Sequence, residues 1–109
     1  MSKLIKLVVY VPKSHAEEVR NAMGDAGAGK IGNYNHCSFS VEGIGRFLPL
    51  QGANPTIGEV GKHEEVIEER IEFVCEKENI KRVIGAMKEV HPYEAIAYDI
   101  YPLLYENEL

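Results

Sequence analysis

Four histidines and two cysteines have the widest chemical reach in this 109-residue chain, and their placement decides which chemistries are open. No Cys-x-x-Cys pair occurs, which removes a zinc knuckle and a thioredoxin-type redox pair. Cys37 and Cys75 are too few for a disulfide framework, and both read as buried free thiols. His36 and Cys37 adjoin, yet neighbouring residues on a strand point to opposite faces. They are poorly placed to share one ion or to act as base and nucleophile. His36, His63 and His91 remain as candidate ligands for a divalent metal, with His63 able to meet the others across a subunit boundary. No residue pair demands catalysis, so no catalytic residue is assigned and the expected role is non-enzymatic.

The segment "HPYE", residues 91–94, is the second concentration of functional groups. Pro92 cannot continue a helix and holds His91 extended, so the motif ends a helix and turns the chain into a strand. His91 sits at a helix C-terminus, where the macrodipole favours a cationic imidazole. The expected arrangement is a structural corner in which Tyr93 packs while His91 and Glu94 tie the turn together.

"GAGKIG", residues 27–32, matches Gly-x-Gly-x-x-Gly, but dinucleotide binding needs that pattern after a strand and at the opening of a helix. Here the glycines leave a helix, so they read as a helix stop and turn residues, with an anion-binding nest of backbone N–H groups near Lys30 as the alternative. No Gly-Lys-Ser/Thr follows, which leaves ATP hydrolysis unsupported.

The elements that must position these groups follow from hydrophobic periodicity. "LIKLVVYV" at 4–11 predicts a strand with Ile5, Leu7, Val9 and Val11 on one face. Ser14 and Glu17 form a capping-box pattern ahead of a helix over about 15–26, which Gly27 closes. Cys37, Phe39 and Val41 alternate with Ser38, Ser40 and Glu42 in a half-buried second strand. Residues 66–75 give a third strand with Ile67, Ile71, Phe73 and Cys75 inward and Glu68, Arg70 and Glu72 on a wet face. Asn79 caps a second helix with Ile80, Val83, Ile84, Met87 and Val90 on one face, and "AIAYDIYP" at 95–102 is the fourth strand.

Two β-α-β halves predict a ferredoxin-like α+β sandwich, βαββαβ, with an antiparallel sheet and both helices on one face. The length fits one domain over 1–109. The two halves are joined by a long loop at about 43–65, whose Phe47, Leu48, Leu50, Ile57 and Val60 are expected to meet another subunit. Apolar residues at 45% and charged residues at 27% are those of a chain that folds. A net charge of −5 offers no general attraction to nucleic acid or to anionic lipid. The short apolar run after Lys6 is neither a signal peptide nor a membrane span, so a cytoplasmic location is expected.

The blocks "GAGKIGNYNHCSFSVEGIGRFLPLQGANPTIGEVG" and "HPYEAIAYDIYPL" resemble the CutA-like domain of the NGG-one-interacting-factor-three type dinuclear-metal proteins, which also occurs free-standing. The resemblance runs from the first strand to about Leu103. It implies a fold of the CutA and nitrogen-regulatory PII type and assembly as a trimer. It does not carry over the dinuclear metal site, whose ligands belong to a flanking domain. The resulting expectation is an oligomeric binding or regulatory module sensing a small anion or metabolite at subunit clefts. Lys30, Asn33, Tyr34, His36, Arg46, His91, Tyr93 and Glu94 are its candidate ligand-binding residues. The alternatives are a metal-binding protein related to CutA, with a divalent metal as its cofactor, and an interaction subunit that docks on another protein.

Overall fold

In the computed structural model, which describes residues 3–109, β-branched and apolar alternation produces strands where the sequence predicts them. They are β1 (Leu4–Pro12), β2 (Ser38–Phe47), β3 (Glu64–Glu76) and β4 (Tyr98–Pro102), with α1 (Ala16–Asp25) and α2 (Ile80–Val90) between them. The strands form one sheet in the order β2-β3-β1-β4, and every neighbouring pair is antiparallel. This is the expected ferredoxin-like arrangement.

One face of β1 and β3 meets both helices. Leu7, Val9, Val11, Ile71 and Phe73 pack there against Val19 and Met23 of α1 and Val83 and Met87 of α2. Each such side chain, fully removed from water, contributes about 1.5–3 kcal/mol. The opposite face carries no helix. Val8 is buried there between its register partners Glu72 and Asp99, and Arg70 and Lys6 both bridge to Glu72, at 3.0 and 3.3 Å. Arg70 holds the Glu72 carboxyl below its ordinary range and is itself pushed upward by that bond.

Gly27 ends α1 with a backbone that favours glycine, φ +114°. Its N–H donates to Gly24 O and that of Ala28 to Met23 O, the paired bonds of a Schellman stop. Neither predicted N-cap side chain acts. A 3-10 turn, Lys13–His15, precedes α1, and Ser14 Oγ bonds His15 Nδ1 at 2.8 Å instead of a backbone N–H. Asn79 stands at the N-cap of α2, but its Oδ1 accepts from Arg82 at 3.2 Å.

The largest departure is at β2. It begins after Cys37, and its register sets Ser40 opposite core-facing Ile71 and Val41 opposite outward Arg70. Phe39 and Val41 therefore lie on the helix-free face, exposed at 66% and 50%. The helix-side contacts of this strand are polar: Arg20 of α1 donates to Ser40 and Glu69, and Lys13 pairs with Glu42 at 2.9 Å. Cys37 is half-buried rather than in the core, whereas Cys75 is buried and its thiol is pushed upward by burial.

β2 and β3 also run further than predicted, leaving a connection of residues 48–63, whereas β4 begins at Tyr98 rather than at residue 95. At about 3.3 Å per residue the 13 residues of β3 span about 43 Å, close to the 49 Å long axis of the molecule. The β2–β3 hairpin is an arm, and its connection folds back on the chain.

Candidate functional site

The arm and the HPYE turn meet at the end of the sheet where β1 finishes. Asn54 N–H donates to Glu94 Oε1 at 2.9 Å, and Thr56 Oγ1 donates to the carbonyl of Pro92 at 2.6 Å. These bonds hold the connection over the helix-free face. Beneath it lies an open concavity of about 560 Å³. Leu48, Leu50, Pro55 and Ile57 supply much of its apolar wall, and Tyr10, Arg46, Thr56, Glu68, Tyr93 and Glu94 its polar groups. A smaller recess of about 320 Å³ continues from it along Gly43 and Gly45 to Arg70, sharing Tyr10 and Glu68.

Glu68 is the unusual group. Its register partner on β2 is Gly43, and it is only 9% exposed although it stands on the face expected to be wet. A Cβ at Gly45 would collide with the Glu68 carboxylate, so the glycine is what lets that carboxylate lie over β2. Tyr93 Oη donates to Glu68 Oε2 at 2.8 Å. Burial, and then the bond to Glu68, push the Tyr93 phenol above its ordinary value. Its ring meets Phe47 edge-on at 5.9 Å and lies 5.2 Å from His91.

His91 anchors this assembly from behind. It is 7% exposed; Nε2–H donates to Tyr10 O at 2.7 Å, and Nδ1 accepts the Tyr93 N–H at 3.2 Å. Both ring nitrogens have partners only in this neutral tautomer. Burial pushes its pKa down, against the raising effects of Tyr10 and Glu68. The cationic form that a helix end favours does not prevail here, because burial is the largest influence on the ring.

The candidate ligand-binding residues fall into two groups. Arg46, Tyr93 and Glu94 gather at the concavity, with His91 behind them, and Arg46 Nε is paired to Glu65 at 2.8 Å. Lys30, Asn33, Tyr34 and His36 lie in the α1–β2 connection, which joins the far end of β3 where Gly29 N–H donates to Val74 O. There His36 has φ 59°, rests its ring over Gly24 and bonds Asp25 Oδ1 through Nε2 at 2.9 Å. The N–H groups of Gly27, Ala28, Gly29 and Ile31 all donate to backbone carbonyls, so they form no anion nest. Any cleft that uses both groups requires two copies.

His36, His63 and His91 lie apart: His36 is at the end of α1, His91 behind Tyr93, and His63 is exposed where the connection enters β3. Among the described residues no group of three or more His, Cys, Asp or Glu is placed to hold a metal. Sequence reasoning missed Glu68 and Gly45. A residue pattern does not reveal which wet-face position a folded-back loop covers.

The fold and the arm define a small α+β domain of the CutA and PII type. The CutA of Archaeoglobus fulgidus superposes with TM-score 0.67 at 15% identity, over 97% of this chain and 91% of that one. The GlnK–ATP complex of B. subtilis does so with TM-score 0.63 at 15% identity, over 94% and 84%. A Bacillus cereus protein related to NIF3 matches at TM-score 0.83 and 51% identity, over 95% of this chain and 26% of that one. In sequence, a GTP cyclohydrolase 1 type 2 homolog of Bacillus subtilis (strain 168) is 61% identical over 100 residues, 92% of this chain and 27% of that protein. That of Mycobacterium tuberculosis (strain ATCC 25618 / H37Rv) is 50% identical over 101 residues, 93% and 27%. No family model matches. The chain has the CutA- and PII-like fold and is similar to part of the Bacillus cereus NIF3-related protein and of the curated GTP cyclohydrolase 1 type 2 homologs. It spans about a quarter of the length of the curated relatives it matches.

Proposed function

We propose that this chain is a self-associating, non-enzymatic binding module that takes a small metabolite in the concavity between the arm and the HPYE turn. The observation that carries the reading is the nearly buried Glu68 carboxylate at the floor of an open, largely apolar concavity of about 560 Å³. That volume is ordinary for a small-molecule site, and few convergent polar groups on an apolar wall is the usual composition of one. Arg46, Tyr93 and Glu94 are its lining residues, with His91 as a positioning residue.

The acidity of the concavity favours a ligand other than a free anion. Glu68 and Glu94 line the concavity, and its Arg46 is paired with Glu65. The same acidity argues against transferring to this site the ATP of the GlnK complex or the GTP in the relatives' name.

Assembly is proposed as a trimer, in a cytoplasmic setting. What supports self-association is the arm: Phe39, Val41, Ile44 and Ile67 are all at least half exposed, and β2 is an edge strand with its outer side open. The length of the relatives favours a second reading, in which the arm docks on the remainder of a longer protein.

Native mass spectrometry of untagged protein purified without chelator tests the reading. A trimer retaining a stoichiometric organic adduct supports it, and a ligand-free monomer contradicts it. A metal adduct that His36, His63 and His91 substitutions abolish would move the site to a subunit boundary.

A further inference from the structure

We infer that the concavity recognises an organic cation, a protonated amine carried on an apolar body, through the free oxygen of Glu68. The inference rests on the proposed use of this concavity as a ligand site and specifies what it takes.

Glu68 is nine-tenths buried, and its one hydrogen bond, from Tyr93 Oη, goes to Oε2. Oε1 receives no bond from a described residue, and it lies above Gly45, where the two recesses meet. A carboxylate with so little access to water favours a cation or further donors at its open oxygen. The neighbouring cations are committed elsewhere: Arg70 to Glu72 and Tyr10, and Arg46 to Glu65. Oε1 is not sealed from solvent, so a donor carried by a ligand can take the place of water there.

The remainder of the concavity fits the rest of such a ligand. Leu48, Leu50, Pro55 and Ile57 offer an apolar wall, and Tyr93, whose ring meets Phe47 edge-on, stands beside the carboxylate. Aromatic faces attract cations and reject anions. A charge-assisted bond to one carboxylate oxygen is the strong kind of polar contact, and it orients the amine without a second counter-charge.

Isothermal titration at pH 7 with four amines, 2-phenylethylamine, cyclohexylmethylamine, agmatine and spermidine, tests this against 2-phenylethanol and 3-phenylpropionate. Nα-acetyl-lysine methylamide presents the same ammonium as part of a peptide and separates the two sources of the group. Amide shifts in a two-dimensional nitrogen–proton spectrum locate each probe. The expected result is at least one amine bound at Gly45, Glu68 and Tyr93 about tenfold or more tighter than the alcohol, with the propionate weakest. The preference vanishes in a folded Glu68→Gln protein. Binding of the lysine derivative above all the free amines would make the ligand a peptide side chain and overturn the small-molecule form. Alcohol or propionate binding there as tightly as the amines overturns the cation while leaving the concavity as a site. No shift at these residues with any probe overturns both.

Discussion

Tyr93 reaches across 25 positions of sequence to donate its hydroxyl to Glu68 Oε2 at 2.8 Å, the one hydrogen bond that this nearly buried carboxylate receives from the described residues. Through it the HPYE turn is joined to β3, and the floor of the concavity is fixed.

Tyr93→Phe keeps the ring against Phe47 and removes that bond. Leaving a buried charged acceptor without its donor costs about 1–3 kcal/mol. Urea unfolding at pH 7 should show a lower midpoint with an unchanged slope. An unaltered midpoint would mean that water already satisfies Glu68.

Gly45 and Gly43 are two residues apart on β2 and should answer differently to the same change. A Cβ at 45 meets the Glu68 carboxylate, whereas at 43 nothing lies within 4 Å. Gly45→Ala should destabilise by about 1–3 kcal/mol as the carboxylate is displaced. Gly43→Ala should be neutral or stabilising by about 0.5 kcal/mol, because it restricts only the unfolded chain. Thermal melts of the two variants side by side make the comparison, and equal effects would contradict the placement of Glu68.

His91 makes stability depend on pH in a defined direction. Its folded-state pKa lies below the ordinary 6.5, so below neutrality the unfolded chain binds more protons than the folded one. Stability from this group is complete above about pH 6.5 and is lost as pH falls through that value toward the folded pKa. His91→Gln retains a donor for Tyr10 O and removes the titration. The difference in unfolding free energy between wild type and variant should therefore shrink from pH 7.5 to pH 5. A difference that grows on acidification would mean a cationic His91.

Helix ends and helix interiors give opposite signs for one substitution. Gly27→Ala forces a side chain into φ +114° at the stop of α1, at a cost of about 1 kcal/mol or more. Gly85, exposed within α2 with open space around it, should gain about 0.5–1 kcal/mol as alanine. Chemical denaturation of both proteins checks the pair.

Much of the fold was legible because its signals are local. The β1 alternation and the α2 stripe of Ile80, Val83, Ile84, Met87 and Val90 state both the element and its inner face. At β2 the period of two was visible, but period alone does not say which face is inward. Phe39 and Val41 look like core, and the polar bonds of Arg20 and Lys13 on the other side are long-range. Ser14 and Asn79 have the residue types of caps, yet each found a nearer side-chain partner. His91 was placed correctly at the end of α2, but its charge state depends on burial against Tyr10, 81 residues away in sequence. The site itself was half legible: HPYE and the apolar arm stood out, while their meeting over Glu68 is a product of tertiary structure.

The most direct test of the account is a nitrogen–proton correlation spectrum of the labelled protein titrated with a small-molecule extract of cells. Perturbations concentrated at Gly45, Leu50, Thr56, Glu68 and Tyr93 are the predicted result, since these residues surround the concavity beneath the arm. Perturbations confined to Lys30–His36 at the opposite end of the sheet, or none at any concentration, would contradict it.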